Sequence, residues 1–231
     1  MAHPIYLVGG SKGGVGKSLV SMALVDLLLA RGERILLIES DTGNPDVWKA
    51  YHETVEAVLL NLDEAAGWIE LVNLCHAQPD VAVVINTAAR NNKGVTAYGE
   101  TLNGTLAELD RTLVTLWVIN RQRDSLELLK EYMEAIGGGE LHVVRNTHFG
   151  EQAKFELYNG SKLRTLLEER GGRSLNFPDL ADRVSDDLYS NRMSIASAAV
   201  EMPIGNRAEL ARWRTEVKKA LSPLFAAGGS R

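Results

Sequence analysis

Short apolar runs, separated by longer mixed segments, dominate the hydrophobic pattern of this chain. The runs are rich in Val, Ile and Leu, a composition typical of strands that are buried on both faces of a sheet. The predicted strands are residues 5–8, 34–38, 80–85, 113–119, 141–146 and a last strand that begins at residue 174.

Helices are predicted between these strands, where apolar residues recur every three or four positions or fill a long run. The predicted helices are residues 19–30, 63–77, 101–110, 126–136, 162–170 and 207–225. The buried face of the second helix is predicted to comprise Ala66, Ile69, Val72 and Leu74. Residues 47–62 show no clear element, and residues 182–192 are predicted to form polar surface.

The alternation of strands and helices, without a repeat or a low-complexity linker, predicts a single α/β domain over residues 1–231. Its expected architecture is a doubly wound, mostly parallel sheet with helices on both faces. Ligands of such sheets bind at the carboxyl ends of the strands. Polar residues that directly follow the predicted strands are therefore the candidates for chemistry.

The last predicted helix carries an apolar stripe beside basic residues. The stripe comprises Leu210, Trp213, Val217, Leu221 and Leu224. A basic amphipathic helix can lie on an anionic membrane surface, or it can dock its stripe on a sheet and leave its basic side in water. Docking is favoured, because a surface helix of a globular domain has the same pattern.

Charge and cysteine content narrow the functional classes. The net charge is −5, and residues 1–120 carry 8 Lys and Arg against 14 Asp and Glu, whereas residues 121–231 carry 17 against 16. A globally basic nucleic-acid binder is therefore not expected, although a local basic patch in the second half stays open. Cys75 is the single cysteine, which rules out an internal disulfide and favours the cytoplasm. We expect no membrane span and no secretory signal.

A glycine-rich turn, GGSKGGVGKS at residues 9–18, joins the first predicted strand to the first predicted helix. Backbone N–H groups of such a turn, together with the helix N-terminus, cradle phosphates. Lys17 supplies a positive charge for the β- and γ-phosphates, and the Ser18 hydroxyl completes the shell of a Mg²⁺ ion. The predicted contacts with ATP or ADP are Gly13, Gly14, Val15, Gly16, Lys17, Ser18 and Leu19.

The turn departs from the ordinary Walker A pattern, because Ser11 occupies the position of the first glycine and a second lysine, Lys12, follows it. The run from Lys12 to Ser18 resembles the deviant Walker A motif of the ParA/MinD family of dimerising ATPases. In that family the additional lysine reaches across a two-fold interface to the partner's nucleotide. The resemblance therefore implies that Lys12 acts in trans, beside Lys17, in a nucleotide-dependent homodimer. Only this turn is specific, and the rest of the chain resembles the family in layout.

An acidic loop follows the second predicted strand. In the family this place holds an Asp-x-Asp-Pro segment that orients water or magnesium. Asp41 matches the second aspartate, whereas Glu39 replaces the first and Thr42 replaces the proline. The resemblance implies a catalytic and metal-side role for Asp41, and an acidic loop that merely solvates a strand end is the alternative.

The third predicted strand ends at Asn86, where the family carries the Walker B aspartate. A neutral amide gives up a Coulomb attraction to Mg²⁺ of about 1–4 kcal/mol at a separation of about 4 Å. Asn86 is thus expected to act only weakly on the metal, from outside its inner shell. Either hydrolysis is slow, or Asp41 or Glu39 takes over part of the metal-side role. On the sequence alone, Asn86→Asp is expected to raise turnover.

Three further positions are assigned by their place in the chain. Asn146 ends a strand whose terminal asparagine contacts adenine in the family, with a simple turn residue as the alternative. Pro178 lies in the segment that wraps the base in the family. The segment after Asn146 lacks the aspartate with which guanine readers pair, so ATP is favoured over GTP. The polar turn at residues 91–94 is a candidate second switch loop.

The leading interpretation is an ATP-dependent dimerising switch, a ParA/MinD-like ATPase with weak turnover. Its switch segments look most like those of ATPases from conjugative and mobilisable plasmids, so plasmid partition, stability or transfer is the expected process. A plasmid-encoded or DNA-associated protein is a candidate partner, direct DNA binding stays open, and membrane binding is not expected. The alternative is an ATP-binding interaction protein that does not hydrolyse. Lys12 argues against a small-molecule kinase, because a kinase has no need for a lysine that acts in trans. The single cysteine excludes those branches of the family that need paired cysteines.

Overall fold

The computed structural model describes residues 3–10, 13–88, 92–136 and 138–228. The strands in these ranges are β1 Ile5–Gly10, β2 Ile35–Glu39, β3 Glu56–Leu59, β4 Ala82–Asn86, β5 Leu113–Ile119, β6 Glu140–Asn146 and β7 Ser174–Phe177. The α-helices are α1 Lys17–Ala30, α2 Asp46–Tyr51, α3 Ala65–Ala77, α4 Asn92–Tyr98, α5 Glu100–Asn103, α6 Arg123–Ala135, α7 Glu156–Asn159, α8 Lys162–Glu169, α9 Asp182–Ser190, α10 Ile195–Glu201 and α11 Ile204–Leu221.

All seven strands join one sheet in the order β3-β2-β4-β1-β5-β6-β7, and every neighbouring pair is parallel. This confirms the predicted doubly wound α/β architecture. The first strand, β1, lies in the middle between β4 and β5. The turn after β1 therefore opens at the centre of the carboxyl edge, where ligands of such sheets bind.

Helices cover both faces of the sheet. Successive strand residues point to opposite faces, and the apolar residues on each face pack against helices. In β1, Tyr6 and Val8 join a core shared with α1, α2, α9, α10 and α11. Ile5 and Leu7 join a second core shared with the helices from α3 to α8. Burial on both faces explains why these strands are continuous apolar runs.

The last helix docks on the sheet, as its stripe predicts. Leu210, Trp213, Val217 and Leu221 are all buried. The Trp213 indole donates a hydrogen bond of 2.9 Å to the Pro178 carbonyl oxygen, just beyond β7. On its other side α11 is joined to α1 by Arg214, which donates to both oxygens of Asp26 at 2.9 and 3.0 Å.

Two elements, β3 and α3, differ from the sequence prediction. The strand β3 is hardly buried, and the helix α3 buries a different face from the one predicted. The edge strand β3 has no clear apolar pattern, since Glu56 and Leu59 are exposed. In α3 the predicted face is wrong: Trp68, Leu71 and Cys75 are buried. Ile69 is instead 55 % exposed.

Two polar segments are helical where the sequence predicted none. Residues 182–190 form α9 and bury Val184 and Leu188, so they are more than polar surface. Residues 92–98 form α4 where a polar turn at 91–94 was expected, and residue 91 lies outside the described ranges. In the predicted helix 101–110 only residues up to Asn103 are helical. Within the described parts of the chain, no helix combines the length and apolarity that a membrane crossing requires.

Candidate nucleotide-binding site

The turn between β1 and α1 relies on glycines at two kinds of position. Gly14 and Gly16 have φ angles of +77° and +98°, which L side chains rarely adopt. Position 10 has no room for a side chain, because a Cβ there would lie 2.7 Å from the Val118 carbonyl oxygen and 3.2 Å from the Lys17 Cγ. The glycines thus allow the chain to curl at the carboxyl end of β1 and to enter α1 directly.

Lys17 is the first residue of α1 and is only 7 % exposed. Burial lowers the pKa of Lys17 to about 8, and the nearby Asp41 carboxylate opposes this shift. The backbone N–H groups of the first helical turn and the positive end of the helix dipole face the same space. A buried cation beside a helix N-terminus favours a multiply charged anion at this point.

An open cavity of about 420 Å³ lies above the turn. Its lining residues are Gly13, Gly14, Gly16, Lys17, Ser18, Asp41, Asn44, Asp46, Asn86, Thr87 and Tyr189. The structure therefore brings together most of the predicted phosphate contacts, the predicted catalytic Asp41 and the predicted weak metal residue Asn86. They come from three separate stretches of sequence, which meet because β1, β2 and β4 are neighbours in the sheet.

The loop from Ser40 to Pro45 holds its acidic residues in place through local hydrogen bonds. The Asn44 backbone N–H donates to Asp41 Oδ1 at 3.1 Å, and the Asn44 side-chain amide donates to Asp46 Oδ2 at 2.7 Å. Lys49 reaches back from α2 and donates to Asn44 Oδ1 at 2.9 Å. The loop and the first residue of α2 thus present two carboxylates, Asp41 and Asp46, to the cavity that the glycine-rich turn also lines.

Asn86 has hydrogen-bond partners at both ends of its side-chain amide. Its Oδ1 accepts from the Ser21 hydroxyl of α1 at 2.8 Å. Its Nδ2 donates to both carboxylate oxygens of Glu39, at 2.9 and 3.1 Å. Glu39 and Asn86 are direct register partners on β2 and β4. The amide at the end of β4 is therefore part of a buried network that joins α1, β4 and β2.

Glu39 is completely buried and also accepts a hydrogen bond of 2.9 Å from the Asp41 backbone N–H. Burial raises the pKa of the Glu39 carboxyl to about 7, and its contacts with the Asp41 N–H and the Asn86 amide oppose the rise. Such a carboxyl tolerates burial only because donors surround it. Its donors lie in the loop after β2, on β4 and in α2, where the Val47 backbone N–H also donates to it. Glu39 therefore contacts two cavity-lining residues, Asp41 and Asn86, without lining the cavity itself.

Several predicted ligand residues lie outside the cavity. Val15 and Leu19 pack into the apolar core. Asn146 clamps the turn, because its amide donates to the Val15 carbonyl oxygen at 2.9 Å while its Oδ1 accepts from the His148 N–H at 3.1 Å. Pro178 lines a separate groove of about 820 Å³ beside α11 and β7. Lys12, like Ser11, lies outside the described residues.

The donors around the cavity suit a nucleotide with Mg²⁺. The ion prefers hard oxygen ligands, and Ser18 Oγ, Asp41 and Asp46 offer them. Among the residues that the structure describes, no group of three or more His, Cys, Asp or Glu side chains is arranged to hold a metal.

Four residues of the site carry no signal that the sequence reasoning used. Tyr189 enters the cavity from α9, a segment that was expected to be surface, and burial raises its pKa. Thr87 lines the cavity and donates from its hydroxyl to the Val8 carbonyl oxygen at 2.9 Å. Asn44 and Ser21 act through the contacts given above. A residue pattern cannot reveal these contacts, because each depends on which elements the sheet order brings together.

Comparison with known protein families finds a match over most of the first two thirds of the chain. The model of the CobQ/CobB/MinD/ParA nucleotide binding domain, named CbiA, matches residues 6–154. The match begins in β1 and runs past Asn146, and it therefore includes the turn, the Asp41 loop and Asn86.

A curated relative, Protein MobD of Acidithiobacillus ferrooxidans, is 75 % identical over 221 residues, which cover 96 % of this chain and 97 % of that protein. Among solved structures, the MinD cell division protein of Aquifex aeolicus aligns with a TM-score of 0.55 at 12 % identity, over 90 % of this chain and 95 % of that chain. Cell division protein FtsY of Thermotoga maritima aligns with a TM-score of 0.53 at 18 % identity, over 76 % of this chain and 60 % of that chain. At these identities the two structures show a shared fold.

Proposed function

The chain belongs to the CobQ/CobB/MinD/ParA family of nucleotide-binding domains, and from this premise we propose that it is an ATP-dependent dimerising switch with ATPase activity. The observation that carries the proposal is the cavity at the carboxyl edge of the sheet. There a buried lysine at a helix N-terminus faces the Asp41 carboxylate across a space of about 420 Å³. Charges of both signs around one cavity suit a polyphosphate together with its counter-ion.

The residues have distinct tasks in this proposal. The glycine-rich turn and the first turn of α1 bind the phosphates through backbone N–H groups, and Lys17 neutralises the terminal phosphates. Ser18 and Asp41 would hold Mg²⁺, directly or through water, and the ion would supply charge neutralisation during phosphoryl transfer. Lys12 of a second copy completes the charge balance, and this is why ATP favours the dimer.

Plasmid mobilisation, partition or stability is the process in which we place the switch. The support is the name of a relative, Protein MobD, which is 75 % identical over 96 % of this chain and 97 % of that protein. Its name agrees with the sequence-based comparison to ATPases of mobilisable plasmids. A plasmid-encoded or DNA-associated protein is then the expected partner.

A second candidate is an ATP-binding interaction protein without turnover. The contacts of Asn86 favour it, because both polar ends of its amide are hydrogen-bonded, to Ser21 and to Glu39. The side chain at the end of β4 is thus a neutral amide whose polar atoms already have protein partners, and it offers the metal side of the cavity no carboxylate. Binding and release of product are separate properties, so one experiment can assign the chain to either candidate.

The test measures binding of a fluorescent ATP analogue and release of phosphate on the same sample. We expect binding that requires Lys17, with Lys17→Ala weakening it by about 10–100-fold, the value of a lost hydrogen bond to a charged group. Lys130→Ala, on the exposed face of α6, is the matched control and should bind normally. Phosphate release above background selects the ATPase, and tight binding without release selects the second candidate. Binding that is indifferent to Lys17→Ala would refute both.

A further inference from the structure

We propose that Glu39 is a positioning residue for the nucleotide site, and that the carboxylate–amide pair Glu39–Asn86 has taken the place of a Walker B aspartate. The inference deepens the proposed function and rests on it for its meaning in catalysis. It concerns a residue that does not touch the cavity and acts through Asp41 and Asn86.

Glu39 is the point at which two parts of the site are tied together. Its carboxylate accepts from the backbone N–H of Asp41, in the loop that lines the cavity, at 2.9 Å. It also accepts from the Asn86 side chain at 2.9 and 3.1 Å. A single buried carboxylate therefore fixes both the loop that presents Asp41 and the residue at the end of β4.

The pairing explains why position 86 is neutral. Glu39 and Asn86 face each other on adjacent strands, and both are buried. A carboxylate at position 86 would oppose the Glu39 carboxylate at hydrogen-bond distance, and like charges so close in a buried site cannot both ionise. The amide instead donates to the acid beside it and still accepts from Ser21 at 2.8 Å. The acidic side chain of the pair thus stands on β2 and the amide on β4.

The hydrogen-bond pattern also predicts which variants tolerate each other. In Asn86→Asp the donor to Glu39 is lost and two acids meet. In Glu39→Gln an amide faces an amide and must still accept from the Asp41 N–H. In the double variant Glu39→Gln/Asn86→Asp, the glutamine can accept from the Asp41 N–H with its oxygen and donate with its nitrogen to the carboxylate introduced on β4. The swap therefore keeps an acceptor for the Asp41 N–H and a donor for the carboxylate on β4, and it returns the charge to β4. The Val47 backbone N–H, which also donates to Glu39, must then share the single glutamine oxygen.

The first readout needs no nucleotide. Amide hydrogen exchange of residues 40–46 should speed up in Asn86→Asp and in Glu39→Gln, and return toward the wild-type rate in the swapped double variant. Glu56→Gln, an exposed carboxylate on the neighbouring strand β3, is the matched control and should leave this segment unchanged. Exchange that is the same in all variants would overturn the positioning role, whether or not the protein binds ATP.

The second readout is the affinity for the fluorescent ATP analogue with and without Mg²⁺. We expect Asn86→Asp to weaken Mg²⁺-dependent binding by about tenfold, the value of one lost charged hydrogen bond, and the swap to restore it. A purely structural pair would lower the melting temperature of the single variants but leave the affinity ratio with and without Mg²⁺ unchanged, and this would overturn the proposal. Tighter binding or faster turnover in Asn86→Asp alone would also overturn it. If the wild type binds no nucleotide, the proposed function fails, and the exchange experiment still decides the role of Glu39.

Discussion

At the scale of single residues, the phosphate-binding turn depends on the backbone freedom of Gly16. Its φ of +98° is unfavourable for other residues, and a Cβ would collide with the Asn146 side-chain amide. Asn146 in turn needs this closeness, because it holds the Val15 carbonyl oxygen. The shape of the turn is thus fixed by a residue from the far end of β6.

Gly16→Ala should therefore cost more stability than a substitution that changes the backbone preference alone. Gly32, which follows α1, provides the control: its φ is +78°, and a Cβ there would meet nothing within 4 Å. Gly32→Ala should cost about 1–2 kcal/mol, the usual penalty of a left-handed non-glycine residue. Denaturant unfolding measures both variants. Equal losses would mean that the contact between Gly16 and Asn146 has no energetic weight.

Asn146 has two possible tasks, and nucleotide selectivity separates them. If it acts by clamping the turn, Asn146→Ala should weaken ATP and GTP binding equally and destabilise the protein by about 1–3 kcal/mol, the cost of an unsatisfied buried group. If it reads adenine, as the resemblance implies, ATP affinity should fall while GTP affinity does not. Competition binding with both nucleotides gives the answer. We expect the equal loss, since both ends of the amide already have protein partners.

The glycine-rich turn was predictable from the sequence because its residues are contiguous. Gly13 to Ser18 form a continuous motif, and the turn that they predict is present. The partnership of Glu39 with Asn86 was not predictable, because the two residues are 47 positions apart and meet only through the strand order β2-β4. Because Asn86→Asp would place two acids side by side, we expect no gain in turnover from this variant. The sequence alone leads to the opposite expectation.

At the scale of elements, strands and helices were predictable in proportion to how much of their surface is buried. Every residue of β5 is buried, and its predicted bounds, 113–119, are those observed. The edge strand β3 and the polar helix α9 bury too little for an apolar pattern to stand out. The sequence also misplaced the buried face of α3, because Ile69 and Trp68 are both apolar and only the packing decides between them.

The strand β6 contains a buried histidine that makes its stability depend on pH. His142 is 2 % exposed, and its Nδ1 accepts a hydrogen bond of 3.2 Å from the Arg173 backbone N–H. Burial lowers the pKa of His142, and the Glu140 carboxylate, 3.5 Å from Nε2, opposes the shift. The imidazole therefore binds a proton more readily in the unfolded chain than in the folded protein. The contribution of His142 to the unfolding free energy then falls as the pH drops below about 6.5.

Urea unfolding between pH 5 and 8 tests this sign. Glu39, whose pKa burial raises, acts in the opposite direction in the wild type and in His142→Gln alike. The test is therefore the difference between the two proteins: relative to the wild type, His142→Gln should gain unfolding free energy as the pH falls from 8 to 5. His76→Gln, on the exposed end of α3, should keep the wild-type slope. A difference between the wild type and His142→Gln that does not change with pH would show that the buried imidazole is not responsible.

At the scale of the whole molecule, the fold sets three functional regions side by side on one edge of the sheet. The turn after β1, the acidic loop after β2 and the end of β4 converge there because these strands are neighbours. The docked helix α11 reaches the carboxyl end of β7, where Trp213 donates to the Pro178 carbonyl oxygen, and it is tied to α1 by the pair of Arg214 with Asp26. The cavity over β1, β2 and β4 is separate from the groove beside α11 and β7.

ATP-dependent dimerisation is tested by the molecular mass in solution, measured by light scattering with ATP and Mg²⁺, with ADP and Mg²⁺, and without nucleotide. Lys12→Ala is compared with the wild type, and Lys154→Ala, an exposed lysine after β6, serves as the control. We predict a dimer with ATP only, which Lys12→Ala abolishes and Lys154→Ala retains. A mass that is the same in all three nucleotide states, or a dimer that persists in Lys12→Ala, would contradict the ATP-dependent switch.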